Sequence, residues 1–177
     1  MGPCAVLMGP PGAGKTVVGR LLADRLDVSF RDTDADIERI AGKAIPEIFT
    51  ADGESAFRAL EEKAVATALA EHDGVLSLGG GAVLSESTRG RLVDQPVVFL
   101  SVGLTEGARR TGLSTARPLL AGVNPRATFK ALLQARLPLY REVATCEVAT
   151  DEIDPSGVVD RVIADLHPAR AVRSSDE

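Results

Sequence analysis

The sequence lacks an excess of positive charge, a cysteine framework, a long apolar run and any internal repeat, and each absence removes a class of protein. Its 177 residues carry 20 Lys and Arg against 25 Asp and Glu, a formal charge of −5. Binding nucleic acid regardless of sequence needs a basic field to displace counterions, so no nucleic-acid partner is expected. Cys4 and Cys146 have no Cys-x-x-Cys neighbour or nearby metal ligand. They read as two reduced core thiols in the first and last expected strands. No apolar stretch approaches the ~20 residues of a membrane span, and no basic segment leads into one. We therefore expect a cytoplasmic protein with no membrane partner. The length suits one domain, expected over residues 1–166. From His167 the apolar periodicity is lost, so residues 167–177 are expected to form a flexible tail. An acidic single domain without an obvious apolar patch is expected to be a monomer.

What is present begins with Gly9-Pro10-Pro11-Gly12-Ala13-Gly14-Lys15-Thr16, which matches the phosphate-binding pattern G-x-x-x-x-G-K-[ST] at every fixed position. Glycines let successive backbone N–H groups turn inward around phosphate oxygens. The lysine adds a fixed positive charge, and the threonine hydroxyl a ligand for Mg²⁺. The context fits. Cys4 to Met8 is an apolar run suited to a buried parallel strand, and Val18, Leu21, Leu22 and Leu26 follow at helical spacing.

Further along, a second strand is expected at Asp27 to Phe30, leading into Asp32-Thr33-Asp34. If the segment is extended, Asp32 and Asp34 point to one side and could serve Mg²⁺ and a substrate hydroxyl. Alternatively, Thr33 and Asp36 form a capping box for a helix through Ile40, closed by Gly42. A short helix over Ile45 to Phe49 precedes a longer one to Glu71 that buries Phe57, Leu60, Ala64 and Ala68. Arg58 and Glu61, three apart on that helix, read on their own as a solvated ion pair. His72 needs no function. The strand Val75 to Leu78 ends in Gly79-Gly80-Gly81, which permits close backbone approach to a ligand or simply a tight turn. No Asp ends that strand, so Asp32 or Ser77 would have to help hold a metal.

A helix is expected over Ser85 to Val93, a strand over Val97 to Ser101, and a helix over Thr105 to Thr111 carrying Arg109 and Arg110. The stretch of about 112–124 has glycine near both ends, no periodicity and Arg117-Pro118 at its centre, and reads as a mobile lid. Arg117 would then be an arginine supplied in cis to the phosphates. Asn124 and Pro125 open a helix burying Phe129, Leu132 and Leu133, which should bend or stop near Pro138. Cys146 to Thr150 makes the fifth strand, and Asp154-Pro155 leads into a final helix. Strands alternating with helices predict an α/β fold, a parallel sheet covered on both faces.

Six landmarks in this order carry a resemblance. They are the P-loop, Asp32-Thr33-Asp34, Phe57-Arg58-x-x-Glu61, Gly79-Gly80-Gly81, Arg117-Pro118-Leu119-Leu120, and Arg136 before Leu139-Tyr140-Arg141. Together they resemble the shikimate kinases, small P-loop enzymes that use MgATP to phosphorylate the 3-hydroxyl of shikimate on the route to chorismate and aromatic amino acids. The resemblance implies a three-layer α/β/α P-loop fold with sheet order 2-3-1-4-5. It implies that ATP is held by Gly12, Ala13, Gly14, Lys15, Thr16 and Val17, with Arg110 and Pro155 flanking the adenine. Lys15 and Arg117 would neutralise the transferring phosphoryl, and Thr16 with Asp32 would serve Mg²⁺. Arg58, Arg136 and the Gly80 backbone would hold the shikimate carboxylate, with Gly79 and Gly81 also in the substrate site and Glu61 orienting Arg58. Asp34 would bind the ring hydroxyls and stand ready for the proton of the attacking one. Ile45, Phe49, Phe57, Pro118 and Leu119 would wall the pocket. The loop Gly9 to Gly14 reads more like that of an adenylate kinase, and Asp154 puts a negative charge near the adenine site. The alternatives are another small-molecule P-loop kinase, for gluconate or a nucleoside monophosphate, and a non-catalytic ATP-binding regulator.

Overall fold

A computed structural model describes residues 1–111 and 124–167. Its centre is β1 (Ala5–Met8), whose four side chains are all 0% exposed. Side chains alternate across a strand, so a strand buried on both faces must be apolar throughout. The alternation is visible in the packing. Ala5 and Leu7 join a core on one face, while Val6 and Met8 join a separate core on the other.

The chain then runs through α1 (Lys15–Leu26), β2 (Phe30–Asp32), α2 (Thr33–Ala41), α3 (Ile45–Ala51), α4 (Glu54–Glu71) and β3 (Val75–Ser77). After a 3-10 turn at Ala82–Leu84 follow α5 (Glu86–Leu92), β4 (Val97–Ser101), α6 (Leu104–Thr111), α7 (Pro125–Val143), β5 (Cys146–Ala149) and α8 (Pro155–Leu166). The strands pair in parallel in the order β2-β3-β1-β4-β5. That is the three-layer α/β/α sheet order the resemblance implied. Residues of α1 and α8 pack on one face, and residues of α4 and α7 on the other. Because β1 leads on to β2 on one side while β3 leads on to β4 on the other, the connections part at β1 and a crevice opens at its carboxyl end, where such folds bind ligands.

Several local expectations need correction. The second strand starts at Phe30, since Asp27 takes a left-handed conformation (φ 55°) to close α1 and the chain needs Val28 and Ser29 to turn back. Helix α2 is capped by Asp32, whose carboxylate accepts from the Asp34 N–H at 3.0 Å, and the Thr33 capping box does not form. Thr33 is instead buried and donates to the Ser77 carbonyl at 3.3 Å, while Asp36 pairs with Arg31 at 2.7 Å. Helix α7 does not stop at Pro138. Gln134, whose carbonyl loses its partner there, is exposed, as is Pro138, so water can replace the missing bond. Leu21 is 39% exposed and stands outside the core stripe of α1. The expected cap at Asn124 is present, at 3.1 Å, and Asp154 caps α8 in the same way, at 2.8 Å. Cys4 and Cys146 are free and half-buried.

Candidate active site

The P-loop joins β1 to α1 through Gly12 and Gly14, at φ 82° and 85°, values that a residue with a Cβ adopts only under strain. Gly14 is the N-cap of α1 and supplies no side-chain cap, so the first N–H groups of the helix remain available to an anion. Lys15 bends back over its own loop, donating to the carbonyls of Gly9 at 2.8 Å and Pro10 at 3.1 Å. Thr16 reaches toward Asp32, hydroxyl to carboxylate, at 3.4 Å. Ala13 belongs to the core beneath the loop, 1% exposed, with its N–H given to Pro10.

Opposite the P-loop lies Gly79-Gly80-Gly81, at the carboxyl end of β3. Each glycine has a charged group or backbone packed close against it. A Cβ on Gly79 would stand 2.8 Å from an Asp34 carboxylate oxygen and 2.9 Å from one of Glu61. On Gly80 it would stand 3.1 Å from the Gly9 carbonyl oxygen and 3.6 Å from Arg136 Nη1, and on Gly81 it would overlap the Arg58 guanidinium. The three glycines are therefore more than a tight turn. They let one carboxylate pair and two guanidiniums converge on a single stretch of backbone.

Glu61 is 4% exposed and accepts from Arg58 Nη1 at 2.7 Å, which overturns the reading of a solvated pair. Burial pushes the Glu61 carboxyl up, and Arg58 and Arg136 pull it down. Arg136 is 6% exposed. Arg58 also reaches the exposed Glu54 carboxylate at 3.5 Å, whereas among the described residues the buried Arg136 has no ion pair, and a buried charge is costly until paired. Among the described residues, Arg58 Nε is buried without a hydrogen-bond partner. The arrangement fits an anionic ligand with at least two acceptor oxygens.

These groups line one cleft of about 460 Å³. Its wall includes Lys15, Thr16, Val17, Asp32, Asp34 and Arg110 on the P-loop side, and Ile45, Phe49 and Phe57 on the other. The two rings are 4.6 Å apart. Asp34 sits in the first turn of α2, beside Asp32 at the cap, so the helix start and not strand alternation brings the two together. Burial, first, and then Asp32 push the Asp34 carboxyl up to about 6, with Lys15 pulling the other way.

A model of the family described as shikimate kinase matches residues 11–167. The shikimate kinase of Saccharopolyspora erythraea is 75% identical over 171 residues, covering 97% of this chain and 98% of that one. The chain belongs to the shikimate kinase family. The shikimate kinase of Thermobifida fusca is 56% identical, covering 94% of this chain and 96% of its own. Among solved structures, shikimate kinase from Acinetobacter baumannii in complex with shikimate superposes with a TM-score of 0.89 at 34% identity, covering 100% of this chain and 96% of that one. Membership makes this chain an ATP-dependent kinase.

Set against the shikimate kinase pattern, most of the expected site residues among those described line the cleft, and Ala13, in the core beneath the loop, and Pro155 do not. Pro155 is exposed at the start of α8 and does not line the cleft. Arg110 does line it, yet its guanidinium is spent on a strut, donating to the Gly12 carbonyl at 3.2 Å, the Thr150 carbonyl at 2.8 Å and the Thr150 hydroxyl at 3.0 Å. Only its planar face is free to meet a nucleotide base. Arg117, Pro118 and Leu119, with the lid over 112–123, lie outside the described residues, as does the tail from 168. Sequence reading missed Pro11, Leu78 and Leu132 in the wall. Leu132 stands one turn before Arg136 on α7, a spacing that could have found it.

Proposed function

We propose that this shikimate kinase family member transfers the γ-phosphoryl group of ATP to the 3-hydroxyl of shikimate, giving shikimate 3-phosphate and ADP. The observation that carries the reading is the convergence of Arg58, Arg136, Glu61 and Asp34 on Gly79-Gly80-Gly81, facing the P-loop across one cleft. Arg58 and Arg136 take the substrate carboxylate, and Glu61 holds Arg58 in place. Asp34 orients the ring hydroxyls and accepts the proton of the attacking one. A carboxyl tuned to about 6 is ionised at neutral pH yet basic enough for that task. The phosphoryl group itself needs positioning and charge neutralisation more than covalent help. Lys15 supplies that from the loop, and Arg117 from the following segment. Closing the site excludes water, which would otherwise take the phosphoryl group.

Among the described residues no cluster of three or more His, Cys, Asp or Glu could hold a metal alone. Thr16 and Asp32 offer two oxygen donors beside the phosphate loop, which fits Mg²⁺, an ion that binds through one or two protein ligands plus substrate phosphates. Bound there, it would neutralise charge on the phosphates. We further read residues 1–166 as one domain working as a monomer in the cytoplasm, with Mg²⁺ as the cofactor and ATP and shikimate as its partners. Among the described residues no helix is long and apolar enough to cross a membrane.

The deciding experiment is acceptor-dependent ADP release, with shikimate, gluconate and AMP compared at equal concentration. Release with shikimate alone is expected. Release with another acceptor instead would keep the P-loop reading and remove the carboxylate one, and none with any would favour a regulator.

A further inference from the structure

Tyr140 is 1% exposed and stands one helical turn beyond Arg136 on α7. Its ring stacks on Phe99 of β4, with centroids 4.9 Å apart at 21°. Its hydroxyl donates to the Gly80 carbonyl, and the positive Arg136 guanidinium, whose Nη1 would stand 3.6 Å from a Cβ on Gly80, is a charged neighbour of the same oxygen. The direction of the bond is forced, because a carbonyl can only accept. With its proton given to Gly80, the phenol keeps its lone pairs for the positive side of the site. Burial pushes this hydroxyl up to about 12, so it stays a neutral donor at any working pH.

Packing alone does not call for a tyrosine here. Phenylalanine would fill the same space against Phe99, and a buried hydroxyl is costly unless it is hydrogen-bonded. The oxygen ties two elements together, α7 one turn beyond Arg136 and the backbone after β3 that abuts the Arg136 guanidinium. Gly80 in turn lies against the Gly9 carbonyl, which receives the Lys15 ammonium at 2.8 Å.

We propose that Tyr140 is a positioning residue for the acid substrate, holding Arg136 and the Gly80 peptide in register so that together they grip one carboxylate. This rests on the carboxylate reading of Arg136 given above. The stacked ring, anchored in the sheet, is the rigid reference from which both groups are set. Such support around a binding group preorganises it and reduces the ordering that binding must supply.

Tyr140→Phe keeps the ring and removes the oxygen. The Michaelis constant for shikimate is expected to rise about fivefold, the loss of one hydrogen bond that holds the grip in register, while kcat and the constant for ATP stay within about twofold. The carboxamide analogue of shikimate should show no such penalty, because it offers no charge to grip. Since the chain has no Trp and one Tyr, tyrosine emission reports this residue alone. It should change saturably when shikimate is added to the parent protein. Arg136→Met serves as the comparison. If it weakens shikimate use and Tyr140→Phe does not, the positioning role fails and the carboxylate reading stands. If neither does, both fail. An equal loss for shikimate and its carboxamide would mean loosened packing and would also overturn the role.

Discussion

Asp34, the proton acceptor proposed above, sits where its charge costs stability. Its carboxyl is pushed from 3.8 up to about 6 by burial, by Asp32 and by Glu61 and Glu38, against the pull of Lys15. Turnover is therefore expected to rise with pH through about 6 and then level off, as the group becomes a base. Asp34→Asn should cut kcat severely and flatten that profile while leaving ATP binding intact; near-normal turnover would strike Asp34 from the site. The same shift has a consequence for folding. Between 3.8 and about 6 the folded protein keeps a proton that the unfolded chain has lost, so stability falls as pH rises across that window. At neutral pH the ionised, desolvated carboxylate is a liability. Asp34→Asn is expected to raise stability at pH 7 by on the order of 1–3 kcal/mol, a gain that shrinks as pH falls toward 4. Thermal melts at both pH values would test this, and a lower Tm for the variant at pH 7 would contradict it.

At the scale of elements, the start of α2 carries two tasks on one residue. Asp32 caps the helix and also faces Thr16 at the proposed Mg²⁺ position. Asparagine caps as well as aspartate does but brings no charge. Asp32→Asn is thus expected to hold its Tm yet need more Mg²⁺ for half-maximal turnover, whereas Asp32→Ala should lose about 1 kcal/mol of stability as well. Equal Mg²⁺ dependence in parent and Asp32→Asn would remove Asp32 from the metal site. Elements with strong end signals were legible in advance, as Asn124-Pro125 and Asp154-Pro155 show. Where end signals compete, reading fails. Thr33 looked like a cap by spacing, yet its neighbour had the free carboxylate and Thr33 was drawn into the interior by the Ser77 carbonyl.

For the whole molecule, the two apolar cores lie back to back on one sheet and share its strands, so neither can form without the other. Calorimetry should accordingly give a single transition, with calorimetric and van't Hoff enthalpies in agreement. Two resolved transitions would break the single-domain reading. Sedimentation at the mass of one chain, unchanged by shikimate, is expected for a monomer.

The sequence by itself determined the fold class and the phosphate site, because both depend on local patterns. An apolar run, a glycine loop and an amphipathic helix in succession specify strand, turn and phosphate cradle within a few residues of one another. The six ordered landmarks carried the family as well. What only the tertiary structure decided is where the charged residues lie and how deeply they are buried. Arg58 and Glu61 look like any exposed pair on a helix until Gly79 and Gly81 are packed over them, and Arg136 looks like one more arginine until α7 buries it beside Gly80. Burial is a property of distant parts of the chain brought together, and burial is what turns these charges from solvated decoration into a site.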